Sequence, residues 1–160
     1  MMTARVTHSR ECGMTRRPLL HEEITNTVIG CFFEVYNNMG HGALESLHLA
    51  GLDREIRNSG HRVTRELKVR VMYKGEEIGM QRLDMVVDDV VVIEAKSSED
   101  LPKIAHRQLF NYLRITNLEV GLLLHFGVDP RFYRVYCEQG RKPWRTSRLE
   151  RRRSPRHADP

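Results

Sequence analysis

The feature that most constrains this chain is a pair of apolar segments that carry acidic residues where a buried strand is expected. Asp84 directly precedes Met85-Val86-Val87, and Val90 to Ile93 lead into Glu94-Ala95-Lys96. Short apolar runs rich in β-branched residues favour buried strands. A charge in such a strand is costly unless it is paired or binds a metal ion. The two segments therefore predict adjacent strands that carry a buried polar site.

Strand geometry restricts how these two segments pair. Side chains two positions apart point to the same face of a strand, so Glu94 and Lys96 share a face. Asp84 reaches that face if it lies opposite Glu94, which leaves residues 88–90 as a three-residue hairpin loop. A two-residue loop would place Asp84 on the wrong face. The sequence therefore predicts an odd loop or a bulge between the two strands.

Two carboxylates and a lysine on one face suit metal-assisted cleavage of a phosphodiester bond. Asp84 and Glu94 would supply the oxygen ligands that a hard divalent cation such as Mg²⁺ prefers. Lys96 could orient a water molecule or neutralise charge that develops on a phosphate. An acid-x-Lys triplet also arises by chance in a chain with 29% charged residues. These residues alone leave both interpretations open.

Length and composition limit the class of protein. The chain has 160 residues, which suits one domain with a substantial core. No apolar run approaches the ~18 residues of a membrane span, and the N-terminus lacks the apolar stretch of a signal peptide. The three widely spaced cysteines fit reduced cytosolic thiols better than a disulfide framework or a zinc site. We therefore expect a cytoplasmic protein.

The net charge of +5 is unevenly distributed along the chain. Residues 1–17 carry a net charge of +3 and residues 141–160 carry +6, whereas residues 18–140 carry −4. Basic ends can raise affinity for nucleic acid through counterion release, and they can equally be solvated and disordered. The run Arg151-Arg152-Arg153 lies among prolines and lacks apolar periodicity. We expect residues 1–17 and 139–160 to be disordered basic extensions.

Apolar residues at helical spacing predict three helices. The first two are predicted at about residues 21–39 and 43–58, each followed by a glycine that favours a helix end. The third is predicted to begin at Pro102. Four of its residues are expected to face inward: Ile104, Leu109, Tyr112 and Leu113. Gln108 lies one turn before Tyr112, so it either reaches the pocket of the lysine or is a solvent-facing polar residue.

Alternating and continuous apolar segments predict five strands. The predicted strands are residues 63–73, 79–87, 90–96, 120–126 and 132–137. With the helices they give the order ααβββαββ. This order indicates a mixed α/β domain with an antiparallel meander, a crossover helix and a returning strand.

In combination these residues resemble a known nuclease superfamily. Asp84, Glu94-Ala95-Lys96 and Gln108, in this order, are similar to the core of the PD-(D/E)XK nucleases. The stretch from about Leu19 to Tyr136 resembles the small prokaryotic GxxExxY proteins of that superfamily. Its further matching segments are Ile29-Gly30, Glu34-Val35, Gly42-Ala43-Leu44-Glu45, Arg82-Leu83-Asp84, Gln108 to Leu113, and Gly121-Leu122-Leu123. The resemblance implies a restriction-endonuclease-like core over residues 18–138, with a mixed sheet, two N-terminal helices and a crossover helix.

The resemblance also implies roles for individual residues. It makes Asp84, Glu94 and Glu45 the ligands of Mg²⁺ or Mn²⁺, with Glu45 as ligand or base. Without the resemblance, Glu45 reads as a surface acid at a helix N-terminus, which the helix dipole favours. Lys96 would position the attacking water. Gln108 would support the lysine or contact the substrate.

Two functions remain open at this point. The first is metal-dependent phosphodiester hydrolysis of nucleic acid, with DNA as the expected substrate. The second is a non-catalytic nucleic-acid- or protein-binding module that retains the nuclease fold. The intact set of two acids and a lysine favours the enzyme, whereas the acidic folded part favours the module. His48 also favours the module, because it stands where the motif has tyrosine; it either replaces a tyrosine hydrogen bond or marks a relaxed constraint.

Overall fold

A computed structural model describes residues 19–138, which form three helices and five strands. The expected disorder of residues 1–17 and 139–160 lies outside the described residues. No helix within the described range is long and apolar enough to span a bilayer. The elements are α1 (Glu22–Met39), α2 (Glu45–Asn58), β1 (Val63–Tyr73), β2 (Glu76–Val87), β3 (Val91–Lys96), α3 (Ala105–Ile115), β4 (Val120–His125) and β5 (Arg131–Tyr136).

The strands form one mixed sheet in the order β1-β2-β3-β4-β5. β1, β2 and β3 pair antiparallel as a meander, β3 and β4 pair parallel, and β4 and β5 pair antiparallel. A parallel pair needs a crossover connection, and α3 supplies it between β3 and β4. The predicted mixed α/β architecture with a meander, a crossover helix and a returning strand is therefore confirmed.

Helices cover both faces of the sheet. α1 and α2 pack on one face, in a core that includes Phe32, Leu52 and Phe126. α3 packs on the other face, where Leu109 contacts β4 so closely that a Cβ on Gly121 would lie 2.7 Å from the Leu109 Cδ1. The central strands are thus buried on both faces, which explains why β3 and β4 read as nearly continuous apolar runs.

Most element boundaries agree with the prediction, and the exceptions have local causes. α1 ends at Met39: the Gly40 N–H still bonds the Tyr36 carbonyl, and the positive φ of 68° at Gly40 then directs the chain out of the helix. β2 begins at Glu76, three residues earlier than predicted, because its pairing with β1 continues to the tip of the hairpin. The expectation that Ile104 faces inward is wrong. α3 begins at Ala105, three residues later than the predicted start at Pro102, so Ile104 precedes the helix and is 64% exposed.

The hairpin that joins β2 and β3 has the predicted register. The pairs are Val87–Val91, Val86–Val92 and Met85–Ile93, which leaves residues 88–90 as a three-residue loop. Asp88 and Asp89 occupy the left-handed region with φ of 49° and 62°, which aspartate tolerates better than most residues. The prediction of an odd loop is confirmed, and the next residues beyond the paired region are Asp84 and Glu94.

Candidate active site

The candidate site lies where β2 reverses the alternation of its side chains. Leu83 packs on the α3 side of the sheet, whereas Met85 packs in the core beneath α1 and α2. Residues two apart in a regular strand share a face, so the reversal occurs at Asp84. The β1–β2 pairing skips this position as well, and the residue opposite, Glu66, has a left-handed φ of 51°. Asp84 therefore interrupts the regular alternation of side chains along β2.

The Asp84 carboxylate joins β2 to β3 beyond the last backbone pair. Its Oδ2 accepts a hydrogen bond from the backbone N–H of Ala95 at 3.1 Å. Ala95 is fully buried, and a buried N–H without a partner would be costly. The side chain thus takes the place of a ladder carbonyl. It fixes Asp84 against the strand that carries Glu94 and Lys96.

Glu94 is a buried carboxylate with one satisfied oxygen. The residue is 1% exposed, and its Oε1 accepts a hydrogen bond from the Lys96 ammonium at 2.5 Å. Its Oε2 is buried and has no hydrogen-bond partner among residues 19–138. Burial, together with the negative charge of Asp84, raises the pKa of Glu94 to about 7 despite the opposing effect of Lys96. This carboxylate would be stabilised by a proton or by a metal cation.

Lys96 remains a cation at neutral pH. Burial lowers the pKa of its amine, but the hydrogen bond to Glu94 and the surrounding acids outweigh burial and raise it. The contributing acids are Glu94, Glu45 and Asp84. A protonated amine donates hydrogen bonds and does not accept a proton. The geometry therefore favours a lysine that orients a water or an anionic oxygen.

Glu45 is the first residue of α2 and is half-buried. Its negative charge raises the pKa of both Glu94 and Lys96, so it lies within electrostatic range of the pair. In the part of the chain that the structure describes, no group of three or more His, Cys, Asp or Glu side chains is arranged to hold a metal ion. The convergence of Glu45 with Asp84 and Glu94 therefore stays a prediction.

Gln108 belongs to a hydrogen-bonded network centred on Tyr112. The Gln108 amide donates to the Tyr112 hydroxyl oxygen at 2.5 Å, and the Gln81 amide donates to the same oxygen at 3.2 Å. Burial raises the pKa of Tyr112, and the charges of Glu94 and Asp84 add to this effect. Because both amides point at the oxygen, the hydroxyl proton is left to be donated elsewhere.

The sequence patterns do not predict two members of this network as candidate site residues. Helical spacing places Tyr112 in the core, although its i, i+4 spacing from Gln108 is a usable signal. Gln81 was not singled out at all. Its position on the α3 side depends on the reversal at Asp84, which alternation alone does not reveal.

His48 is buried and fully engaged. Its ring stacks on Phe126 with centroids 4.2 Å apart and planes 10° from parallel. Nδ1 lies 2.8 Å from the Ser97 hydroxyl oxygen, and Nε2 lies 2.9 Å from the Gly40 carbonyl oxygen. Of the two alternatives for this position, the contacts favour a residue that supplies hydrogen bonds.

The donor set fits a hard divalent cation. Such cations take carboxylate oxygens and, in the case of Mg²⁺, keep several waters, so one or two carboxylates suffice. Glu94 Oε2 is a buried oxygen in need of a partner, and the Asp84 carboxylate raises the pKa of Glu94 by repulsion. A cation at this place would offset that repulsion. These carboxylate oxygens are of the type that hard divalent cations prefer.

Comparisons with known proteins place the chain in a family. A family model of the PD-(D/E)XK nuclease superfamily matches residues 22–135. The crystal structure of SSO0001 is similar with a TM-score of 0.49 and 21% sequence identity, over 71% of this chain and 65% of that chain. No curated protein matches significantly. PD-(D/E)XK nucleases generally use divalent metals, and their fold implies a nucleic-acid substrate. Because the family model covers most of the sequence, this chain belongs to the PD-(D/E)XK nuclease superfamily.

Proposed function

We propose that this protein hydrolyses phosphodiester bonds in nucleic acid, with DNA as the substrate, in a reaction that depends on Mg²⁺ or Mn²⁺. The observation that carries the proposal is the pair of buried Glu94 and half-buried Lys96 beside Asp84 in a chain of this superfamily. Burying such charges destabilises a fold unless they are paired well, and here one Glu94 oxygen has no partner among residues 19–138. A bound metal ion would give that oxygen a positively charged partner.

Each acidic residue has a defined part in this proposal. Asp84 and Glu94 hold the divalent cation, and Glu45 acts as a further ligand or as the base. The bound cation supplies Lewis acidity toward the phosphate and lowers the pKa of a coordinated water. The support for Asp84 and Glu94 is their electrostatic coupling and the unpartnered Glu94 oxygen. The support for Glu45 is its charge acting on both members of the Glu94–Lys96 pair.

In this proposal Lys96 and Tyr112 act on the attacking water and on the phosphate oxygens. Lys96 positions the attacking water and offsets negative charge on the phosphate, which its raised pKa supports. Gln108 acts by holding the Tyr112 hydroxyl, and that hydroxyl donates its proton toward a phosphate oxygen or a water. The two amide donors on the Tyr112 oxygen support this assignment.

We also propose a subfamily for this chain. We infer membership of the GxxExxY group from the Gly42 to Glu45 segment, with His48 in the last motif position. The burial of His48 and its two hydrogen bonds support a maintained role at that position.

The basic segment 139–160 would contribute phosphate contacts that do not depend on the nucleic-acid sequence.

A cleavage assay tests the proposal. Purified wild-type protein is incubated with single-stranded DNA, duplex DNA and RNA in Mg²⁺ or Mn²⁺, beside Lys96→Ala, Asp84→Ala and the control Lys68→Ala. Lys68 is an exposed lysine of β1. We expect the wild type and the control to cleave, and the other two variants to be inactive. Asp84→Ala should also lose metal affinity, whereas Lys96→Ala should retain it, because the lysine acts on the water and the phosphate.

The same assay separates the enzyme from the binding module. If no substrate is cleaved by the wild type above the Lys96→Ala background, the enzyme proposal is rejected. Nucleic-acid binding without cleavage, unchanged by Asp84→Ala and by metal removal, would then identify a module that keeps the fold and lacks the chemistry.

A further inference from the structure

His48 connects the loop after α1 to the residue that follows Lys96. Its Nε2 lies 2.9 Å from the Gly40 carbonyl oxygen, and because a carbonyl only accepts, Nε2 carries a proton. In the neutral ring Nδ1 then accepts a hydrogen bond from the Ser97 hydroxyl at 2.8 Å. Stacking on Phe126 fixes the plane of the ring. His48 therefore determines where the Ser97 side chain lies.

His125 makes the corresponding connection from the end of β4. It is the parallel partner of Lys96 in the β3–β4 register, and its Nε2 donates to the Ser98 carbonyl oxygen at 2.8 Å. The ring is packed tightly, since a Cβ on Gly127 would lie 2.4 Å from its Cε1. His125 is 4% exposed, so water competes little for this bond. It therefore fixes the backbone of Ser98.

Three consecutive residues at the end of β3 are held in this way. Besides the bonds to Ser97 and Ser98, the Lys96 carbonyl accepts a hydrogen bond from the Phe126 N–H at 2.7 Å. We call His48, His125 and Phe126 the β3-end clamp. Ser98 is already the first residue of an exposed segment, residues 98–100. Strand ends that border exposed loops fray readily, and the clamp opposes fraying at the lysine.

We propose that His48 and His125 are positioning residues for Lys96, which hold its ammonium against Glu94 by fixing the backbone at Ser97 and Ser98. The inference rests on the proposed function of Lys96. The two rings act through the backbone and the Ser97 hydroxyl. A displacement of about 1 Å of a group that must meet the reacting atoms can lower a rate by about 100-fold. Loss of the clamp should therefore lower kcat and leave KM and metal affinity nearly unchanged.

Matched variants isolate the two histidines. His48→Phe keeps the stacking on Phe126 and removes both ring hydrogen bonds, and Ser97→Ala removes only one of them. His125→Leu removes the bond to Ser98, whereas His125→Gln offers an amide N–H at the place of Nε2. The control is His61→Phe, because His61 bonds Asp88 Oδ2 at 2.6 Å beside the loop at the other end of β3.

The experiment measures amide hydrogen exchange of the metal-free protein, Mn²⁺ affinity, and cleavage kinetics for every variant. We expect His48→Phe, Ser97→Ala and His125→Leu to accelerate exchange at residues 95–98 and to lower kcat about 10- to 100-fold, with KM and Mn²⁺ affinity within about twofold. His125→Gln should restore slow exchange and most of kcat. His61→Phe should leave exchange at residues 95–98 and kcat at the wild-type level.

Two results would overturn the inference. Exchange at residues 95–98 that is unchanged in all three disrupting variants would show that the histidines do not hold this segment. Faster exchange there with full kcat would show that the clamp is structural only. If the wild type cleaves nothing, the proposed function fails, and the exchange measurement still decides separately whether the two histidines hold the segment that carries the lysine.

Discussion

Replacing Glu94 by glutamine should stabilise the metal-free protein at alkaline pH and leave it nearly unchanged in acid. The pKa of Glu94 rises from 4.5 to about 7 on folding, mainly because the side chain is buried. The folded protein therefore holds this proton more tightly than the unfolded chain does. Stability that depends on Glu94 is present below pH 4.5 and is lost as the pH rises through about 7. Glutamine has a similar shape and carries no charge at either end of this range.

The size of the effect follows from the pKa difference. At about 1.4 kcal/mol per pH unit, a rise from 4.5 to about 7 corresponds to roughly 3 kcal/mol of unfolding free energy. Solvent screening does not reduce this figure much, since Glu94 is 1% exposed. The difference in unfolding free energy between Glu94→Gln and wild type should therefore change by about 3 kcal/mol in favour of Glu94→Gln from pH 4.5 to pH 8.5.

Urea unfolding in the presence of a chelator measures this difference. Wild type, Glu94→Gln and the exposed control Glu76→Gln are compared at both pH values. The unfolding free energy of the control should differ from that of wild type by the same small amount at each pH. Added Mn²⁺ at pH 8.5 should then stabilise wild type more than Glu94→Gln, because only wild type keeps both carboxylates that we propose as ligands. Parallel stability curves for wild type and Glu94→Gln across this range would refute the reasoning.

Three further predictions concern other parts of the molecule. Gly121→Ala should destabilise the fold by about 1–3 kcal/mol in thermal or urea unfolding, since its Cβ would lie 2.7 Å from Leu109. Asp88→Asn should destabilise the protein at neutral pH. Burial raises the pKa of Asp88, but hydrogen bonds led by the Arg62 N–H lower it overall, so its stabilisation is present above pH 3.8 and is lost as the pH falls further. An Asp88→Asn deficit that does not shrink as the pH falls below 3.8 would contradict this. Deleting residues 141–160 should weaken nucleic-acid binding and flatten its salt dependence, and an unchanged salt slope would exclude the tail from binding.

The register of the central hairpin could be predicted because it depends on strand parity. Placing Glu94 and Lys96 on one face and Asp84 opposite them required an odd loop, and the three-residue loop confirms it. The element order could also be predicted, since glycines and apolar periodicity mark the ends of α1 and α2. These features follow from local rules that any strand or helix obeys.

Other features could not be predicted, because tertiary contacts decide them. Glu66 adopts a left-handed φ of 51° within β1. Glycine usually marks such a conformation in a sequence, and position 66 has none. The reversal at Asp84 lies opposite this distortion in the β1–β2 pairing, and Gln81 reaches Tyr112 beyond that reversal. The partners of His48 come from a loop eight residues away and a strand end 49 residues away. Sequence spacing does not bring such residues together.

The tight β2–β3 hairpin also has a consequence for how the chain folds. Asp84 and Ala95 are only 11 residues apart, so their hydrogen bond belongs to a contact that a hairpin can form within microseconds. The parallel β3–β4 pairing requires the whole α3 crossover and is a slower, non-local step. The two acids and the lysine can thus meet while water still surrounds them. We therefore expect their dehydration to follow when α3 and β4 dock, since that step forms many of the apolar contacts that offset it.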